Sequence, residues 1–241
     1  MNVNITEKRN ITITVSANTS PNITFITISS SYNPTEDTQT NVSFNFTAWD
    51  ANGASDLNTK AQANFTRAGD APRQNLTCTQ LNTFDTNYAN YSCIIQMWYF
   101  DSQGVWNITV QINDSANVQA LNTTATFTYN QLSAFTLAPA ALTWTSLLPG
   151  TTNQTANNDP IVLNNTGNKN ITEIQINSTN LRGETDNSKA IWAGNFTISI
   201  LSSGTIECSV DSNQTTVMAA GVFTNVTNST LPHGNHSAGD G

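Results

Sequence analysis

The chain has 241 residues, enough for one large or two ordinary domains, and only 10% of them are charged, against a usual ~25%. A net charge of −8 and a sequence pI of about 4.4 would repel polyanions, which excludes nucleic acid and anionic membrane surfaces as natural partners. β-Branched and aromatic residues recur with a short period, which excludes a disordered chain.

MNVNITEKRN at the start is polar from its second residue, unlike a signal peptide, and no apolar run reaches the ~20 residues of a membrane span. The strand-like start and the trailing LPHGNHSAGDG both read as cuts from a longer chain. Residues 1–20 hold a strand pattern at 10–15 and then a polar loop, the expected last strand or linker of an upstream repeat. Residues 22–29 form the next predicted strand, followed by the turn-rich Asn33-Pro34-Thr35-Glu36-Asp37. Residues 41–50 alternate best: Val42, Phe44, Phe46 and Ala48 share one face, and Asn41, Ser43, Asn45 and Thr47 the other. Asp50-Ala51-Asn52-Gly53 then reads as a hairpin-type turn.

Further strands are predicted at 60–68 and 73–79. Residues 91–114 read as a central hairpin, with Asp101-Ser102-Gln103-Gly104 as its turn. Its first arm, 93–100, is apolar on both faces, as in a central strand. Its second arm puts Trp106, Ile108, Val110 and Ile112 on one face. Residues 122–129 close a set of short strands with turn signals every ~8–12 residues, the pattern of a β-sandwich.

A second, less regular β unit starts near Gln131. A connector at 137–141 precedes strands at 142–146 (with Trp144), 161–164, 172–177, 191–201, 205–210 and 222–226. Asn165-Thr166-Gly167-Asn168 is the turn between two of them, and Phe196, Ile198 and Ile200 point one way. The expected organisation is all-β: a linker over 1–20, one sandwich over 21–130, a second over 131–228 and a flexible tail over 229–241.

There are 21 Asn-x-Ser/Thr triplets without Pro at x, and in 12 of them x is a large apolar residue. In a strand that choice points x into the core and leaves Asn outside, ready for glycosylation. Asn is a poor strand residue, so repeated outward Asn needs a reason. Glycans supply one: they would solubilise a surface poor in charge and shield sheet edges that lack guarding Lys. The competing source, an AT-rich genome, also predicts abundant Lys, and there are four. The named acceptors are Asn22, Asn41, Asn45, Asn64, Asn107, Asn122, Asn170 and Asn195.

Cys78 and Cys93 lie at the inner parts of two adjacent predicted strands, with a polar loop between them. Either they form a disulfide closing a ~15-residue loop, worth about 3 kcal/mol, or they are two buried thiols. Cys208 has no evident partner. Asp50, Asn52 and Asp56 are oxygen donors that would suit Ca²⁺, although the spacing does not match an EF-hand. The bland alternative is a plain turn with solvent-exposed carboxylates, and Asp101 and Asp114 read the same way. His233 and His236, the only histidines, lie in the Gly-rich tail with no further ligands, and without another His no catalytic triad can be built in the body. Trp98, Tyr99, Phe100 and Trp106 would form either core or a sugar-stacking platform, with core favoured for Trp106.

Tyr91-Ser92-Cys93, Met97-Trp98-Tyr99-Phe100-Asp101, Gly104-Val105-Trp106-Asn107-Ile108-Thr109-Val110 and Asp114 together resemble a block in large archaeal surface proteins built of tandem immunoglobulin-like β-sandwiches. Trp144, Leu147, Pro149-Gly150 and Leu163-Asn164-Asn165-Thr166-Gly167-Asn168 resemble the domain that follows, so the likeness spans about residues 20–230. The resemblance implies two immunoglobulin-like sandwiches and an extracellular, S-layer-like or envelope role. It implies neighbouring copies or domains of surface proteins, and glycans, as partners, and no catalytic residues. The Tyr-x-Cys at 91–93 matches an immunoglobulin corner only in part, because the two cysteines are too close for the usual inter-sheet bridge. The expected function is a non-catalytic structural or adhesive module of a cell-surface glycoprotein. A carbohydrate-binding module and a viral attachment glycoprotein are the alternatives.

Overall fold

The computed structural model describes residues 17–151, 154, 156–198, 216–226 and 229–234. Eight strands form the first body: β1 (Asn22–Ile28), β2 (Ser31–Tyr32), β3 (Gln39–Trp49), β4 (Lys60–Thr66), β5 (Arg73–Phe84), β6 (Tyr88–Trp98), β7 (Gly104–Asn113) and β8 (Gln119–Tyr129). They hydrogen-bond in the order β1-β3-β6-β5-β4-β7-β8-β2. The sheet curls until its ends approach, and the Asn122 Nδ2 of β8 donates to the Ile23 carbonyl of β1 at 3.2 Å.

The curl makes two layers. β1, β3 and β6 form one, β4, β7, β8 and β2 the other. β5 passes between them, pairing first with β4 and, beyond Cys78, with β6. Register shifts between Ala61 and Ala63 and between Gln80 and Asn82 mark where the strands bend. The first segment is also shared: β1 runs antiparallel to β3, whereas β2 runs parallel to β8 in the opposite layer.

Alternation explains the core. Val42, Phe44, Phe46 and Ala48 of β3 are buried, as are Trp106, Ile108, Val110 and Ile112 of β7, while Asn41, Ser43 and Asn45 are exposed. Phe65 tilts against Phe127 at 4.7 Å and reaches across to Phe44 at 5.8 Å, and Phe46 stacks on Tyr91 at 4.9 Å. Cys78 and Cys93 form a disulfide with Cα atoms 4.5 Å apart. The pairing of Thr79 with Ser92 places the two directly opposite, at the close, non-hydrogen-bonded spacing.

Several local expectations are corrected. Residues 91–114 are not a hairpin: β6 pairs with β3 and β5, and β7 with β4 and β8, so residues 99–103 arch from one layer to the other. Turn residues signal that the chain reverses, not which strand it then joins. For the same reason the turn after β3 does not make a hairpin, since β4 belongs to the opposite layer. β6 is central yet buries only one face, leaving Ile94 half exposed. The Tyr91 hydroxyl donates to the Asn58 carbonyl, far upstream, rather than closing a local corner.

Beyond residue 131 the described strands pair as two-stranded ribbons: β9 (Phe135–Ala138) with β10 (Val162–Asn165), and β11 (Gln175–Asn177) with β16 (Phe223–Asn225). β12 (Leu181–Arg182) pairs with β13 (Ala190–Ile191), and β14 (Thr197–Ile198) with β15 (Thr216–Val217). Residues 142–146 are not a strand, and the connector at 137–141 contains the end of β9. The expected strand at 191–201 is broken by a single 3-10 turn, Ala193–Asn195. Phe196 and Ile198 are half-buried as expected, and Ile200, the expected strands at 10–15 and 205–210, and Cys208 lie outside the described residues. The fold class is all-β, as the periodicity predicts.

Candidate functional site

β3 and β7 end at the same pole of the sandwich, where the chain also enters. Asn22, at the start of β1, pairs with Trp49, at the end of β3. The next inward position of β3 after Ala48 is Asp50, and of β7 after Ile112 is Asp114, so both carboxylates are carried into the end of the core. Each has 0% of its surface exposed. The chain leaves at the opposite pole: Tyr129, at the end of β8, pairs with Gly104, at the start of β7.

Local bonds fix the two carboxylates. The Asn52 N–H donates to Asp50 Oδ1 at 2.7 Å, and Gly53, with φ of +115°, completes the turn by donating to the Asp50 carbonyl. Asp114 Oδ1 accepts from the Val118 N–H at 2.8 Å, and its Oδ2 accepts from Asn18 Nδ2 at 2.8 Å. Ser115 stitches the loops together, donating its N–H to the Asp56 carbonyl and its hydroxyl to Asp56 Oδ1. One carboxylate oxygen from each of Asp50, Asp56 and Asp114 lies within 4.8 Å of the others. Asp50 Oδ2 and Asp56 Oδ2 are buried and accept no hydrogen bond.

Burial, with the Asn52 bond opposing it and the charges of Asp56 and Asp114 reinforcing it, pushes the Asp50 carboxyl above the usual range. Burial also pushes Asp114 upward, but bonds from Asn18, Val118 and Ala116 outweigh it and hold that carboxyl below the usual range.

The structure places Asp50 beside Asp56 and brings Asp114, rather than Asn52, to them. The Asn52 amide is committed to the incoming segment: its Oδ1 accepts from the Thr19 N–H at 2.8 Å and its Nδ2 donates to the Ala17 carbonyl at 3.1 Å. The reading of Asp50, Asp101 and Asp114 as exposed turn carboxylates is overturned by their burial. The inward register of Asp50 and Asp114, continuous with each strand's apolar face, was the signal that could have found this pair.

No family model matches the chain, and none of the curated proteins does. Among solved structures the chain is similar to the PKD domain of an M14-like peptidase from a Thermoplasmatales archaeon, at 16% identity, over 47% of this chain and 99% of that one, with a TM-score of 0.30.

Of the named acceptors, Asn22, Asn41, Asn45, Asn107, Asn170 and Asn195 are exposed, whereas Asn64 and Asn122 are half-buried. The residue after the Asn is buried at Ile23, Val42, Phe46, Phe65 and Ile108. Asn75-Leu76-Thr77 departs from the pattern, because β5 turns Leu76 outward and the Asn75 amide donates to the Ile94 carbonyl at 2.9 Å.

Trp106 and Phe100 are buried, so the four-aromatic platform does not form. Trp98 is half-buried and stacks on Phe100 at 5.6 Å. His233 Nδ1 lies 2.6 Å from the Gly234 carbonyl, and His236 is outside the described residues. Among the described residues, no helix is long and apolar enough to cross a membrane.

Proposed function

We propose that the chain is a non-catalytic structural module of an extracellular, S-layer-like surface glycoprotein, with sandwich units over 21–130 and 131–228 linked in series. The observation that carries this reading is the placement of chain entry and exit at opposite poles of the first sandwich, so that tension or packing load passes along its strands. The joint beyond it is built rather than loose. Asn168 Nδ2 donates to the Asp101 carbonyl at 3.1 Å and the Asn130 carbonyl at 2.9 Å, and Thr166 donates to Glu36 Oε1 at 2.5 Å. The disulfide suits an oxidising compartment. Exposed acceptor amides on both layers suit a glycan coat in place of charge. Neighbouring copies or domains would then meet the glycan-free parts of the surface.

Proteolytic shaving of intact source cells tests the location. Peptides of this chain should be released from living cells before any cytoplasmic marker; their absence until lysis would overturn the proposal.

One observation favours the carbohydrate-binding alternative. The outer face carries a shallow groove lined by Gln39, Asn41, Gln74, Asn75, Gln96 and Trp98, amides beside an indole as sugars prefer. Asn41 and Asn75 are themselves acceptors, so a glycan at either would fill that groove. Quenching of tryptophan fluorescence by a specific sugar, lost in Trp98→Ala, would establish the alternative; unchanged fluorescence across a glycan panel would discard it.

A further inference from the structure

We propose that Asp50, Asp56 and Asp114 bind calcium at the pole where the chain enters the first sandwich. The cation would join loops 50–58 and 114–118 and, through them, anchor residues 17–19. Three carboxylates within 4.8 Å of one another repel unless protons or a cation intervene. Among the described residues no Lys or Arg is paired with them: the ion pairs are Arg67–Asp70 and Arg73–Asp101.

The spare oxygens point to a ligand rather than to a plain acidic turn. Asp50 Oδ1 and Asp56 Oδ1 are each used in a loop bond, which leaves Oδ2 of each buried without a partner although Asp50 has 0% exposure. A native protein ordinarily satisfies such atoms with a donor or an ion. The donor set is all oxygen, with no His or Cys, which selects a hard cation over zinc or copper. Calcium accepts irregular oxygen cages completed by water, whereas magnesium demands near-octahedral geometry that two strand-end loops do not impose.

The carboxylates end strands of opposite layers, so the ion would act as a bolt across the sandwich. It would also fix Asp114, whose Oδ2 holds Asn18 at 2.8 Å. Residues 17–19 would then enter the sandwich through a joint stiffened by calcium.

The test uses the full chain dialysed against chelator. Added Ca²⁺ should raise Tm by about 5–10 °C when the ion exceeds its Kd ~100-fold, and the shift should go on rising with the logarithm of its concentration. Mg²⁺ should do so much less. Terbium luminescence, sensitised by Trp49 next to Asp50, should appear and be displaced by Ca²⁺. Asp56→Asn, at a half-buried position, should lose the shift, while the exposed Asp85→Asn keeps it. Absence of a Ca²⁺ shift together with absence of displaceable terbium emission overturns the proposal. So does a shift retained in Asp56→Asn, and an equal response to Mg²⁺ overturns the calcium assignment.

Discussion

The Arg73 guanidinium closes on the Asp101 carboxylate at the exit pole, with Nε 3.1 and 3.0 Å from the two oxygens and both residues buried. Asp101 also accepts from the Trp98 N–H at 2.7 Å, and its carbonyl accepts from Asn168. One residue therefore terminates β6, neutralises the buried end of β5 and receives the following segment. Asp101→Ala strands a buried cation and should destabilise the chain by about 3–5 kcal/mol, read by urea denaturation. Arg73→Met with Asp101→Leu should recover most of that loss, because a well-packed apolar pair is a fair substitute for a buried ion pair.

β5 buries only Arg73 and Cys78 among its 12 residues. Its hold on the core rests on the ladders to either side, the ion pair at one end and the disulfide in the middle. Reduction should lower stability by about 3 kcal/mol. Hydrogen exchange should then rise first in β5, before β3 or β7; a uniform rise along the chain would count against this picture.

Gly167 sits where a Cβ would lie 2.3 Å from the Leu132 carbonyl oxygen and 2.9 Å from the Ala134 nitrogen. Gly167→Ala must push the turn off residues 132–134, breaking the bonds of Thr166 N–H to Ala134 and Asn168 N–H to Leu132. The expected penalty is about 1–3 kcal/mol, with faster exchange at those two amides while the β3 and β7 amides stay protected.

Burial raises both inward phenols from an ordinary value of 10, Tyr129 to about 12 and Tyr91 in the same direction. Above pH 10 the unfolded chain loses these protons while the folded chain keeps them. The stability they contribute is complete below pH 10 and is lost as pH rises through about 12. Denaturation midpoints measured across that window should fall, and Tyr91→Phe should flatten the fall.

The first sandwich was legible where period-two alternation was unbroken. At residues 41–48 and 105–113 the sequence alone placed every core side chain. It failed at pairing: the turns after Trp49 and Trp98 have hairpin chemistry, but whether the next strand joins its neighbour or crosses the core depends on contacts distant in sequence. Asp50 and Asp114 were missed as a pair because they are 64 positions apart and only the shared pole brings them together. β5 misled through Leu76, an apolar residue that faces outward because the strand bends between layers. Among the described residues beyond 131 short ribbons replace long strands, and alternation over two or three residues carries little signal.

The most direct test of the glycan-coated module is peptide mass spectrometry of the chain from its own source. Peptides carrying exposed acceptors such as Asn41, Asn45 and Asn107 should be heavier than their sequences by whole glycans. Recovery of every acceptor Asn unmodified would contradict the account.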